Sequence, residues 1–488
     1  MPQDKNDRPD TTCAAYDDMA VHWPLLDALL GGMDGMRAGG TTWLPKFKKE
    51  ESIDWTARLN SSFLFNAYGD TVNQIAAKPF GEPITIKGTA PKALADIERD
   101  VDGTGKNLTQ LGLDLYTGGV VYGKAHILVD YEARTDESGN PIQRTLAEEN
   151  ESKDRPRLIY VSAKQLLSWR YDVAADGKPT LTQICIAESV IEPVGMFGEK
   201  TVQQVRVITP SEFAVYRKRM NEKGQQIDEW YMVPELSGKH TLGKVPLITV
   251  YFRRTGYLTA EPPLLSLAET NLEHWQSSSD QRNILHFARV PILYGTGMSQ
   301  TQIDEGITIS PHKATLLRGD GKLGYLEPQG AAITAGAEDL KRLEEQMETL
   351  GLQPQMTRMG GVTATQSLTN EERTMSEAQA WVRNAETGLL DAYKLAGEWI
   401  KAEVPEDFAI DIFSDWTVDI TGDQDITQLR EIRKQGDLSQ KTFLEEVQRR
   451  NLISDTVDLD MEIEAIGMEP PKLAMGFGGD TGEDGTDV

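Results

Sequence analysis

The stretch from Pro262 to Arg289 constrains the fold most, because its pattern is helical yet its middle is polar on every side. Pro262 and Pro263 open it, since proline suits the first helical positions, and at ~1.5 Å per residue it spans roughly 40 Å. Leu264, Ala268, Leu272 and Trp275 share one side of its first half, but Gln276 to Asn283 reads QSSSDQRN. A helix without an apolar stripe has no place in a globular core. The expectation is a helix that bridges regions or lies between identical neighbours with wet surfaces.

The segments after it are equally regular. Residues 291–330 are β-rich, with strands expected at 291–294, 314–317 and 323–326 and glycine turns between them. A helix over 337–350 places Leu340, Leu343, Met347 and Leu350 at a/d spacing, and Gly351 is suited to close it. Residues 353–366 (QPQMTRMGGVTATQ) form a loop in which Arg358 is the single charge. Thr369 followed by Glu372 is a capping-box pattern that opens a helix over 370–403. Its apolar seam of Met375, Ala378, Val382, Ala385, Leu389, Ala392, Ala396 and Trp399 is ~50 Å long, and Pro405 should end it. Residues 408–420 alternate as a strand, and a helix capped by Ser439 displays Phe443, Leu444 and Val447. The tail from Leu473 is glycine-rich and acidic, a composition expected to be disordered.

The first half reads as a different kind of unit. Residues 1–50 look irregular, with repeated glycines and a basic cluster at Lys46, Lys48 and Lys49. Trp55, Leu59, Phe63 and Ala67 at spacing four predict a helix over 53–77, ended by Pro79, and a second helix is expected over 91–117. Strands are expected at 124–131, 158–161, 182–187, 203–209 and 247–252, with an exposed polar loop at 132–156. The fold class is α+β. A length of 488 residues admits two to four structural units at roughly 100–200 residues each.

Composition excludes several function classes. No apolar run approaches the ~20 residues of a membrane span, and the polar start MPQDKNDRPD is unlike a signal peptide, so the protein is expected to stay in the cell that makes it. Cys13 and Cys185 are far apart and the 6 histidines have no ligand spacing, so no metal or cofactor is expected. The net charge of −26 excludes general gripping of DNA, which needs Lys and Arg to displace counterions. It fits either a merely soluble surface or one that DNA slides past. Residues 102–107 (DGTGKN) imitate a phosphate loop, but Asp100 and Asn107 stand where a Walker A needs its first glycine and its hydroxyl. No G-x-S-x-G elbow occurs, and nothing marks an enzyme.

The order of these segments resembles the portal subunit of tailed bacteriophages. Residues 55–80 (WTARLNSSFLFNAYGDTVNQIAAKPF) are similar to an N-terminal portal helix that leads into the wing, and 118–130 (GGVVYGKAHILVD) to the wing strand after it. Residues 263–291 and 340–351 resemble the entering and exiting stem helices, and 376–400 (SEAQAWVRNAETGLLDAYKLAGEWI) the helix after the tunnel loop. The likeness covers roughly residues 16–470 and includes a portal-like phage family often described only as a domain of unknown function.

The resemblance implies an arm (1–50), an α/β wing (51–262), a first stem helix (263–290), a small α/β clip (291–330), a second stem helix (331–352), a tunnel loop (353–369), a long helix returning to the wing (370–423), a helical crown (424–470) and an acidic tail (471–488). It implies a non-enzymatic ring of about twelve subunits joined head to tail, in the virion at a capsid vertex and assembled in the bacterial host cytoplasm. The implied partners are the terminase packaging ATPase, the major capsid and scaffold proteins, the head–tail adaptor and double-stranded DNA as cargo, with no membrane. Gln355, Thr357, Arg358, Thr363, Thr365 and Gln366 would line the channel, or else 353–369 is an ordinary connection. Leu316 and Leu326 would join clip strands of neighbouring subunits, because a unit of about forty residues buries too little core alone; otherwise the insert folds back as a hairpin. The alternative identity is another phage structural protein, a minor head or baseplate component without a channel.

Overall fold

The computed structural model describes residues 7–91, 94–130, 155–175, 177–220, 226–289, 292–297, 322–326, 330–352 and 376–414, and in the C-terminal part 430, 432–434, 436, 438–449, 453, 459 and 461–463. It divides into two compact units, Met1–Trp416 and Thr417–Val488. The described chain is α+β, as the sequence patterns require.

The N-terminal region is not an irregular arm. It forms α1 (Ala14–Ala20), α2 (Trp23–Leu30) and α3 (Gly32–Ala38), and Trp23, Leu26, Leu29, Met36 and Leu44 are buried in the main core. Trp23 packs edge-on to Tyr16 and Tyr122 at centroid distances of 5.0 and 6.0 Å. Each helix is too short to show a period, and glycine ends two of them, which hides the pattern from a sequence reading.

The single helix expected over 53–77 is two, α4 (Ser52–Ser61) and α5 (Ala67–Ala77). Ser62 is extended, at φ −65° and ψ 144°, and turns its hydroxyl onto the Arg58 carbonyl. Asn66 then caps α5 by accepting from the Gly69 amide at 3.1 Å. The seam is broken accordingly, with Leu59 buried and Phe63 exposed. The strand β1 (Thr85–Lys87) follows.

The helix expected over 91–117 begins later and runs further, as α6 (Leu108–Tyr122). Asn107 and Gln110 form a full capping box at its start, and Gly123, at φ 81°, ends it in the left-handed conformation that glycine tolerates. Residues 118–122, which resembled the start of a strand, therefore belong to this helix. The strands β2 (Lys124–Asp130), β3 (Arg157–Ser162) and, further on, β9 (Leu247–Tyr251) make a three-stranded antiparallel sheet with β2 central. The loop expected at 132–156 lies outside the described residues except for Arg155 and Pro156.

Between β3 and β9 runs a five-stranded antiparallel meander of β4 (Leu166–Val173), β5 (Pro179–Val194), β6 (Gly198–Ile208), β7 (Glu212–Met220) and β8 (Gln226–Lys239). The expected strands at 182–187 and 203–209 are the buried parts of β5 and β6, while β4, β7 and β8 were not anticipated. Their inner positions are few, with Val215, Trp230 and Val233 buried among charged neighbours that face solvent. A short pair, β10 (Arg254–Gly256) and β11 (Thr259–Ala260), precedes α7 (Leu265–Arg289).

After α7 come the antiparallel strands β12 (Ile292–Thr296) and β13 (Lys322–Leu326), then α8 (Gly330–Leu352), α9 (Glu377–Ile400) and β14 (Ala409–Asp411), which pairs with β1. Two terminators differ from expectation. Gly351 lies inside α8, where an added Cβ would come 2.8 Å from the Thr71 hydroxyl, so its smallness serves close packing on α5. The start of α9 is set by Ser376 and Gln379, which exchange hydrogen bonds of 2.9 and 3.2 Å, and its end by Lys401 at φ 57°, ahead of Pro405. The Thr369 cap, Met375 and residues 415–420 of the expected strand fall outside the described residues.

The seam of α9 is buried as read, at Ala378, Val382, Ala385, Leu389, Ala392 and Ala396, and packs over β2, β9 and α6. In the second unit α10 (Gln440–Arg449) is capped by Ser439, which accepts from the Thr442 amide at 3.1 Å, and Leu444 is buried. The expected tail from residue 471 lies outside the described residues. No helix among the described residues is long and apolar enough to cross a membrane.

The contact of α9 with the sheet sets a tight limit at Gly388, where a Cβ would lie 2.2 Å from the Val250 side chain. Gly388→Ala should lower stability by about 1–3 kcal/mol, the cost of overpacking a close-packed core. A urea titration followed by circular dichroism checks this, with a fall in the midpoint expected.

Candidate functional site

The feature that stands apart from an ordinary α+β core is the unit formed by α7, β12–β13 and α8, residues 265–352. Its inner half is rooted in the body by polar groups. Along α7, Asn271, His274, Ser278, Ser279 and Gln281 are buried beside the fully buried Trp275. Burying such groups costs several kcal/mol each unless they are hydrogen-bonded, and most of them are.

Asn271 accepts from the Tyr68 amide at 3.0 Å and donates to the Phe65 carbonyl at 2.8 Å, so it stitches α7 to the break between α4 and α5. Gln276 donates to the Trp43 carbonyl at 2.9 Å, and the hydroxyls of Ser62 and Ser279 share a hydrogen bond of 2.9 Å. On the other side Gln281 donates to the Ile333 carbonyl at 2.8 Å and Ser277 to Asp339 at 3.2 Å, which fixes the register of α8. The expectation that a polar-middled helix cannot enter the core is thus overturned. Gln276, Ser279 and Gln281 of this middle are satisfied within one chain, by partners that lie far off in sequence, while Asp280 and Arg282 stay exposed.

Arg58 is the hub of the root. Its guanidinium meets Glu50 through two bonds of 2.8 Å, donates to the Pro45 carbonyl at 2.7 Å, reaches Ser279 at 3.5 Å and stacks 4.0 Å from the centre of the Phe47 ring. The two charged side chains are 4% and 8% exposed, so each depends on the other. The hydrogen bonds from Arg58 hold the Glu50 carboxyl below its ordinary range. Nearby, burial raises the Asp280 carboxyl, and burial lowers His274 although the Glu344 carboxylate is 3.4 Å away. Neither Arg58 nor Asn271 was singled out from sequence; the only signal was the QSSSDQRN run beside them.

The outer half of the unit is different. From Arg282 to the end of α7, and from Gly330 to Arg342 in α8, no described side chain is buried. The strands β12 and β13 pair in register from Ile292 opposite Leu326 to Thr296 opposite Lys322.

The expected site residues fare unequally. Leu326 is placed at the end of β13, opposite Ile292. Leu316, Gln355, Thr357, Arg358, Thr363, Thr365 and Gln366 lie outside the described residues. The loop that imitates a phosphate cradle is closed on itself, since Asp100 accepts from the Gly103 and Gly105 amides at 2.8 and 3.0 Å and Lys106 is bound to Asp114. Those amides face a carboxylate of their own chain, which leaves no place for phosphate. Among the described residues no cluster of His, Cys, Asp and Glu is arranged to hold a metal ion.

The fold therefore defines an α+β body that carries a polar-rooted helical hairpin and a long helix behind it. A family profile described as a domain of unknown function (DUF4055) matches residues 263–400. That span begins two residues before α7 and ends on the last residue of α9, so the profile and the module coincide. No curated protein matches the sequence.

Among solved structures, a chain in the virion of a native gene transfer agent particle is 12% identical, with 90% of this chain and 99% of that chain covered at a TM-score of 0.34. A chain in the neck of an empty particle of that agent, computed with C6 symmetry, is 10% identical over 88% and 99% of the two chains at 0.36. One in the neck of the native particle, computed with C12 symmetry, is 12% identical over 86% and 98% at 0.37. Scores of this size do not establish a common fold.

The root makes a measurable prediction. A lowered carboxyl pKa in the folded state gives stability that is complete above the unfolded value and lost as pH falls through the folded one. Glu50→Gln should cost about 3 kcal/mol at neutral pH, the low end for breaking a buried pair. It should also flatten the loss of stability on acidification below about pH 4. Denaturant titrations of both proteins across pH check it, with the two curves converging at the acid end.

Proposed function

We propose that the chain is a portal subunit, one member of a closed ring that forms the channel through which a tailed phage or phage-like particle packages and releases double-stranded DNA. The observation that carries this reading is the hairpin of residues 265–352, locked into its own body at the root and uncovered along its outer half. A neighbour on each side supplies that cover in a ring. The resemblance of segment order in the sequence supports the same assignment, with the hairpin as stem and β12–β13 as part of the clip. The net charge of −26 suits a wall that DNA passes without adhering.

In this reading the protein is not an enzyme and works as a mechanical channel. It sits at a capsid vertex and meets the packaging ATPase, the capsid and scaffold proteins and the head–tail adaptor. The segment with Gln355, Thr357, Arg358, Thr363, Thr365 and Gln366 follows α8 directly and is assigned to the narrowest part of the channel. Leu316 and Leu326 are assigned to contacts between clips.

Averaged top views in negative stain test the whole reading, with a ring around a central hole expected. A monomer at every protein and salt concentration in light scattering would sink it. Arg358→Ala, or deletion of Gly360 and Gly361, should leave rings intact and impair packaging or DNA retention; normal packaging in both would make the segment a plain connection. Leu326→Asp should weaken ring closure, whereas a change in monomer stability alone would return the β-rich insert to an internal hairpin.

A further inference from the structure

Of the basic cluster in the 45–50 loop, Lys46 acts on Glu50, whereas Lys48 and Lys49 are exposed and carry no ion pair among the described residues. They border a groove of about 1110 Å³ between this loop, α4 and the outer half of α7. Arg282 lines it as well and makes only uncharged contacts among the described residues, with the Ser61 carbonyl at 3.1 Å and the Phe63 ring at 5.2 Å. Asp54 is the one exposed carboxylate among the residues that line it. Phe47, 46% exposed, and the half-buried Leu285 give the groove an apolar floor. In a chain of net charge −26 this is a locally cationic surface.

Its complement is on α8. At about 100° per residue, Glu338, Lys341, Glu345 and Glu348 share one stripe on the side away from the buried Leu343 and Met347. All are exposed, Glu345 meets Lys341 only at 3.8 Å, and Glu338 and Glu348 have no ion pair among the described residues. The two surfaces lie on opposite flanks of one hairpin, because Ser277 and Gln281 of α7 face α8 while Arg282 and Asn283 face the groove. One chain cannot bring them together. A closed ring joins unlike flanks of successive copies.

We propose that the groove receives the acidic stripe of α8 from the next copy of the chain, so that Lys48, Lys49 and Arg282 pair with Glu338, Glu345 and Glu348 across the subunit boundary. This rests on the ring reading above and gives it a specific contact. Charge pairing of this kind fixes register and suppresses wrong partners more than it adds affinity, and it weakens as salt shortens the screening length.

The test uses two charge reversals in the full chain, Lys48→Glu/Lys49→Glu/Arg282→Glu in the groove and Glu338→Lys/Glu345→Lys/Glu348→Lys on the stripe. Each set alone places like charges across the contact, so mass photometry at low salt should show a roughly tenfold loss of rings for each. Circular dichroism and melting curves check that both remain folded, and intact folding is expected because all six positions are exposed. An equimolar mixture should recover rings containing both proteins, since each reversed groove then meets a reversed stripe. Failure of the mixture to recover overturns the contact. Normal rings from both variants also overturn it while leaving the portal reading in place, including the case in which the groove variant loses only DNA binding. Absence of rings in the unaltered protein removes both.

Discussion

The buried pair of Arg58 and Glu50 is the contact on which the hairpin depends. A guanidinium that is 4% exposed is tolerable only while its charge and its donors are answered, and Glu50, the Pro45 carbonyl and Ser279 answer them together. One side chain thereby joins the 45–50 loop, α4 and α7. The rest follows from that junction. Ser62, released from α4, is free to reach Ser279, and the extended residues after it expose the Phe65 carbonyl and the Tyr68 amide to Asn271. The break that divides the helix expected at 53–77 is thus part of the root.

Legibility in the sequence followed from where each element finds its partners. The seam of α9 was readable because it carries an unbroken apolar period, and β2 and β9 because their β-branched and aliphatic residues lie between turn residues. The first three helices were not, because Trp23, Leu26, Leu29 and Met36 are spread over pieces of seven and eight residues punctuated by glycine. The strands β7 and β8 were missed for the opposite reason, since few inward residues are set among many charged ones. The hairpin was found in outline, but its polar middle was misjudged. Periodicity compares a helix with itself, whereas Gln276, Ser279 and Asn271 are satisfied by residues 43 to 68, more than 200 positions away. Glu50 and Arg58 likewise carry no local mark that distinguishes a buried pair from a solvated one.

Closing much of the polar middle inside one chain leaves the exposed surface of the hairpin further out. If the QSSSDQRN run had faced solvent, water would have satisfied it and association would have been optional. The partners of Gln276, Ser277, Ser279 and Gln281 are internal, and among the described residues no side chain is buried from Arg282 to the end of α7 or from Gly330 to Arg342. There α7 and α8 offer half-exposed Ile284, Leu285 and Ile333.

A root made of hydrogen bonds also differs mechanically from one made of apolar contacts. Apolar side chains permit small slides and rotations at little cost, because the attraction is non-directional. Turning α7 by one residue, about 100°, would instead orphan Asn271, Gln276, Ser279 and Gln281 at once, each at roughly 1–3 kcal/mol. The helix is therefore indexed in rotation and in height against α4, α5 and α8. Indexing of this kind fixes the base of the hairpin against sliding and rotation.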